Sequence, residues 1–140
     1  MKFEYLTRLG PHGWEYEPKI EVVFTNPKNR KSVEVLCLID SGAGATILNA
    51  EFAEVLGIDL TDGKPHPYMG ISEKAPAYDH PVEMRLKQDA HAYRIICSFM
   101  PGLTTTGLLG QRGFFEHYKV TFELPKKRFE IVPIPLVKVR

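Results

Sequence analysis

The sequence predicts an all-β domain with one short helix, and three observations carry that reading. Strand-like runs rich in Val, Ile, Phe and Tyr recur along the chain, Gly, Pro and Asn clusters punctuate them, and only one segment has helical spacing. With 140 residues the chain is long enough for one real core and too short for two, so a single domain over 1–140 is expected.

Ile20–Phe24 and Ser32–Ile39 read as two strands joined through residues 25–31, where Asn26, Pro27 and Asn29 favour a turn. The second strand alternates at Val33, Glu34 and Val35, then turns continuously apolar through Ile39, a pattern that predicts entry into the core just before Asp40. Asn49–Gly57 is the predicted helix: Asn49 caps it, Phe52, Val55 and Leu56 share one face, and Gly57 suits the exit. So short a helix needs packing against a sheet to persist.

Residues 61–76 carry Gly63, Pro65, Pro67, Gly70 and Pro76, a loop composition. Within them, Tyr68–Ser72 sets apolar residues around Gly70, which suits either a surface turn or the tip of a hairpin folded over a ligand. Strands resume at Val82–Leu86 and Tyr93–Cys97, across a turn at Lys87–Ala90. Pro101–Gly107 interrupts the pattern before Leu108-Leu109-Gly110, and Gly113–His117 reads as a short helical turn. A last hairpin, Tyr118–Leu124 with Phe129–Ile134, surrounds Lys126-Lys127-Arg128, a basic cluster read as a solvated turn. A loose internal symmetry is visible: an apolar run meets a glycine-containing turn at Ile39–Gly42 and again at Leu108–Gly110, and only the first carries an acid.

Eighteen Lys and Arg balance 17 Asp and Glu, so no long-range field favours nucleic acid or an acidic membrane, and neither partner is expected. The first residues lack the apolar core of a secretion signal, and Cys37 and Cys97 lie far apart inside apolar runs, as buried reduced thiols would. A cytoplasmic location is the expectation. His12, His66, His80, His91 and His117 are too dispersed for a ligand set, so neither metal nor cofactor is expected.

The chemistry centres on Asp40. Splitting an amide with water, without metal, Cys or Ser nucleophile, needs a base for the water and an acid for the leaving nitrogen. Two carboxyl groups sharing one proton supply both, because like-charge repulsion separates their macroscopic pKa values. Ser41 can orient backbone, Gly42 permits close approach, and Thr46 can anchor the turn. Asp59, Asp62, Asp79 and Asp89 read as solvated acids, leaving no clear partner within the chain. A two-fold homodimer, in which Asp40 meets its own copy, is the economical solution.

The run Leu38-Ile39-Asp40-Ser41-Gly42-Ala43-Gly44-Ala45-Thr46-Ile47-Leu48 resembles the active-site turn of the retropepsin-like aspartic proteases, and Leu108-Leu109-Gly110-Gln111-Arg112-Gly113-Phe114-Phe115 resembles their second signature. The resemblance extends roughly over residues 18–124. It implies a closed acid-protease barrel assembling as a two-fold dimer, with Asp40 as catalytic acid and base, Ser41 bonding between chains, and Gly42 holding substrate backbone. It also implies a flap tip near Met69–Ser72 and support of the turn by Leu108, Leu109 and Gly110. Ala43, Met69, Gly70, Ile71 and Leu108 are the candidate substrate contacts, the substrate being an extended protein or peptide. Two departures stand out. Gly44 and Gln111 occupy positions where retroviral members carry an ion pair that stabilises the dimer, leaving Arg112 as a candidate contact, and the flap has few glycines. The alternative reading is a non-catalytic relative that uses the same cleft to bind a peptide or to assemble.

Overall fold

The structure, a computed structural model, describes residues 1–68 and 76–135. Its strands in chain order are β1 (Lys2–Glu4), β2 (Leu6–Gly10), β3 (Gly13–Glu17), β4 (Lys19–Thr25), β5 (Ser32–Ile39), β6 (Ile47–Asn49), β7 (Lys64–His66), β8 (Ala77–Leu86), β9 (Tyr93–Met100), β10 (Gly107–Leu109), β11 (Tyr118–Glu123) and β12 (Arg128–Pro133). One helix, α1 (Glu51–Val55), follows β6. Among the described residues no helix is long and apolar enough to cross a membrane.

Six strands close a barrel in the order β4-β5-β10-β6-β9-β8, with β8 returning to β4, and β7 extends β8 outward. Alternation drives the closure. Val22 and Phe24 on β4, Val35, Cys37 and Ile39 on β5, Val82, Met84 and Leu86 on β8, and Ile95, Cys97 and Phe99 on β9 point inward and are buried. The apolar stretch at the end of β5 does not wholly enter the core: Leu36 and Leu38 take the outer face, Leu36 with 38% of its surface exposed. Strand period overrides composition there. Both cysteines are buried free thiols, and burial pushes the Cys37 thiol up.

Two short strands make the unusual part. β10 runs parallel to β5, with Leu108 opposite Leu38 and Leu109 opposite Ile39, and antiparallel to β6, with Leu108 opposite Ile47. It therefore threads between the two strands that flank the Asp40 turn. A parallel neighbour needs a long crossover, here the chain that forms β6, α1, β7, β8 and β9.

The helix is shorter than predicted and differently seated. Asn49 ends β6, and its Oδ1 accepts the Glu51 N–H (3.0 Å) while its Nδ2 donates to the Leu103 carbonyl (3.0 Å), so Ala50 becomes the first flanking residue of α1. Ala53 and Leu56 are the buried positions, whereas Val55 is 52% exposed. Gly57 leaves the helix at φ +66°, the left-handed conformation that suits glycine. Gly113–His117 forms consecutive turns, closed as a single helical turn by the Tyr118 N–H bonding to the Phe114 carbonyl (3.1 Å), and does not extend into a helix.

The N-terminal residues hold strands that the sequence reading did not assign. β1 joins β12 and β11 in a three-stranded sheet, and β2 pairs with β3 as a separate hairpin.

Candidate active site

The Asp40 turn is built by hydrogen bonds from distant residues. Asp40 follows the last residue of β5, and its N–H donates to the Leu109 carbonyl (2.9 Å). The Gly42 N–H donates to Asp40 Oδ1 (2.9 Å), fixing one carboxylate oxygen toward the turn and leaving the group half-buried at its rim. Ala43 N–H returns to the Asp40 carbonyl (3.1 Å) and closes the loop. Ser41 and Gly42 are exposed, and the Ser41 hydroxyl has no partner among the described residues.

The second motif braces this turn from behind. The backbone N–H groups of Gln111 and Arg112 donate to the carbonyls of Ala43 (2.8 Å) and Gly44 (3.1 Å). Thr46 answers in the other direction: its N–H and its hydroxyl both donate to the Arg112 carbonyl, each at 3.0 Å, and its buried Oγ1 accepts the Gly110 N–H at 3.4 Å. Gly110 is buried, and a Cβ there would stand 2.7 Å from the Ala43 carbonyl oxygen and closer still to that of Ala45. Only glycine fits at that approach.

Position 111 has acquired a different task from the retroviral ion pair. Gln111 Nε2 donates to the Ser41 carbonyl (3.0 Å), a neutral link within one chain from the second motif to the residue after the acid. Arg112 is exposed and makes no ion pair among the described residues, so it neither replaces nor excludes a contact to a second copy.

Of the candidate substrate contacts, Ala43 and Leu108 are placed. Ala43 is half-buried in the turn, and Leu108 packs on a small apolar cluster of Ala45, Ile47, Ala77, Met100 and Leu103, with Tyr68 beside it. Met69, Gly70 and Ile71, and the flap tip at Met69–Ser72, lie outside the described residues.

The segment that leads to that region was read as plain loop, yet β7 pairs with the start of β8, Lys64 opposite Asp79 and His66 opposite Ala77. A polar chain joins it to the barrel. Tyr68 OH donates to Ser98 Oγ (2.7 Å), Ser98 Oγ donates to Asp79 Oδ1 (2.5 Å), and His66 Nδ1 lies 3.1 Å from Asp79 Oδ2 with its ring stacked on Tyr68 (4.2 Å between centroids). Burial, with the Asp79 charge adding to it, raises the Tyr68 hydroxyl above the ordinary phenol range, against opposing effects of Ser98 and Arg112. Asp79 is thus a committed structural acid and not a solvated one. Ser98 lies in an unbroken buried run of β9, Cys97–Met100, and a serine inside such an apolar stretch gives no signal of its hydrogen-bond partner.

The comparisons agree with this geometry. A sequence profile described as aspartyl protease matches residues 28–112, more than half of the chain, covering the Asp40 motif and the first part of the second motif through Arg112. No curated protein matches the chain by sequence. Among solved structures, a retropepsin-like aspartic protease from Rickettsia conorii is similar in fold at 20% identity, covering 92% of this chain and 90% of that one with a TM-score of 0.57. The retroviral protease-like domain of Ddi1 from Leishmania major is similar at 16% identity, covering 86% and 94% respectively with a TM-score of 0.52. With the Asp40 turn, the strand threaded behind it and the matching profile, the chain belongs to the aspartyl protease family and has the retropepsin-like fold.

Proposed function

We propose that this protein is an aspartic endopeptidase whose working form is a homodimer, with one water activated between the Asp40 carboxylates of the two copies. The carrying observation is that Asp40 stands at the rim of a solvent-open turn after the second strand of the barrel, while Asp79 and Asp89 are held in hydrogen bonds elsewhere and Asp59 and Asp62 lie on a separate surface turn. Asp79 is held by Ser98 and His66, Asp89 accepts from Tyr118 and the His91 N–H, and Asp59 and Asp62 flank a 3-10 turn beside His80. A second acid then has to come from a second chain.

In such a pair the two carboxyl groups hold one proton between them. The ionised member takes a proton from the water as it attacks the peptide carbonyl, and the protonated member polarises the carbonyl oxygen. The resulting diol collapses as the leaving nitrogen is protonated. Gly42, in this reading, turns its carbonyl side toward an extended substrate, since its N–H already serves Asp40. Because one carboxyl must stay protonated, cleavage is fastest on the acidic side of neutrality. The edge of β11, unpaired among the described residues, and the exposed Phe122, Leu124, Val132 and Ile134 of the β11–β12 hairpin are the surface we assign to the dimer contact, as an open edge strand and apolar side chains both favour pairing. The buried free thiols support a cytoplasmic setting.

Mixing tests the shared site. Wild-type enzyme titrated with excess Asp40→Asn protein should lose cleavage of an apolar peptide in proportion to mixed-dimer formation, since each mixed dimer holds one acid. Activity untouched by the excess would mean that the partner acid lies within the chain.

A further inference from the structure

The hairpin β2–β3 has two unlike faces. Its register pairs Arg8 with Glu15 and Leu6 with Glu17 on one face, and Thr7 with Tyr16 and Leu9 with Trp14 on the other. The first face satisfies its own charges: Arg8 bridges Glu15 (3.2 Å) and Glu17 (3.5 Å), and Glu17 also holds Lys19 (3.0 Å). The second face leaves Leu9 70% and Trp14 63% exposed.

At the root of that second face opens a cavity of about 560 Å³, within the usual size range of ligand sites. Tyr5 and Tyr16 contribute aromatic wall, edge to face at 6.5 Å, and Lys2, Lys126, Lys127 and Arg128 line it against one carboxylate, Glu4. Lys126 bridges Glu123 (3.2 Å), whereas Lys2, Lys127 and Arg128 have no ion pair among the described residues; Glu4 and Glu123 sit opposite Arg128 in the sheet, and Glu130 opposite Lys2, all outside pairing distance. Lys127 is held in place: its backbone is left-handed at φ +56°, its carbonyl accepts the Tyr5 N–H (3.3 Å), and its ammonium lies 4.0 Å over the Tyr16 ring.

We propose that this face, from Trp14 and Leu9 down to the cationic groove, is a docking site for an extended polypeptide segment that carries carboxylates beside apolar side chains. Trp14 and Leu9 supply the apolar anchors that dominate such contacts, and the lysines and arginine at the root supply complementary charge. The concave shape between two structural units fits a chain laid along it, whereas a flat bilayer would reach the hairpin tip and not the groove. A second copy related by a two-fold axis through this face would set cation against cation. The site uses no residue of the Asp40 turn, so it serves an active protease and an inactive relative alike, and in an active one it recruits acidic substrates at a distance from the scissile bond.

Fluorescence anisotropy with a labelled peptide of alternating Glu and Leu tests the site, using wild-type and Asp40→Asn protein so that binding is separated from cleavage. Both should bind equally, with affinity falling as salt rises. Lys127→Gln with Arg128→Gln should weaken binding about tenfold or more, and Trp14→Ala several-fold, with the folded state of each variant checked by its melting temperature and the Trp14→Ala value unchanged because that side chain is 63% exposed. Lys2→Glu, on a separate strand, provides a charge reversal that should act in the same direction. Equal binding of a Lys/Leu peptide, or affinity unchanged in these variants, overturns the proposal. So does capture by phosphatidylserine vesicles without peptide binding, which assigns the face to lipid. Dissociation of a dimer by Trp14→Ala with peptide binding intact also overturns it and assigns the face to a second copy.

Discussion

Two apolar strand ends, Leu38-Ile39-Asp40 and Leu108-Leu109-Gly110, lie side by side in parallel register, Leu108 opposite Leu38 and Leu109 opposite Ile39, and then diverge. The first delivers a half-buried carboxylate to a solvent-open turn. The second delivers a residue with no side chain into a space where a Cβ would press on the Ala43 and Ala45 carbonyls. The same lead-in therefore serves opposite ends: one strand presents a carboxylate at the surface, and its neighbour clears the space in which the backbone carrying that carboxylate is held. In a two-fold pair the asymmetry is repeated, so each copy brings one acid and one glycine.

The comparison makes separable predictions. Asp40→Asn retains an oxygen for the Gly42 N–H, so peptide cleavage should fall about a thousandfold or more while the melting temperature hardly moves. A parallel collapse of melting temperature would mean that Asp40 also holds the fold. Gly110→Ala should do the reverse: overpacking against backbone carbonyls costs about 3 kcal/mol, read by urea unfolding, and activity is lost only as the turn is displaced. Unchanged stability there would show that the close approach relaxes freely. Thr46→Val keeps the shape and removes the hydroxyl that both donates to the Arg112 carbonyl and accepts from Gly110, for a loss of about 1–2 kcal/mol.

The smallest effect concerns an acid far from the turn. Burial pushes the Asp89 carboxyl up, but hydrogen bonds from the Tyr118 hydroxyl (2.7 Å) and the His91 N–H (3.1 Å) outweigh it and hold it below the usual range. A depressed folded value stabilises the protein above the unfolded value of about 4 and is lost as pH falls through the folded one. Melting temperature measured against pH should therefore show wild type ahead of Asp89→Asn at neutrality and level with it in acid.

The barrel strands were largely legible because period-two alternation reports burial directly: Ser32–Ile39 is a strand over the same residues in the structure, and the hairpin around the basic turn appears as β11 and β12. Legibility failed where the partner, and not the sequence, makes the strand. β6, β7 and β10 are each three residues long and gain strand geometry only from neighbours already in place. The N-terminal hairpin escaped notice because its apolar residues face solvent and follow no buried pattern. Asp79 was misjudged for a related reason: its partners Ser98 and His66 lie on other strands, 19 and 13 residues away.

The sequence by itself determined the family and the all-β class and singled out Asp40 as the candidate acid, since an acid on a Ser-Gly-Ala turn after an apolar strand is a local pattern and local patterns survive in one dimension. Tertiary structure alone decided that Gly110 must be glycine, that Thr46 and Gln111 tie the two motifs together across some seventy positions of chain, and that Tyr68, Ser98, Asp79 and His66 form one polar chain between the segment at β7 and the barrel. Those contacts arise from a parallel crossover, and a hydrogen bond between distant strands leaves no trace in the spacing of either.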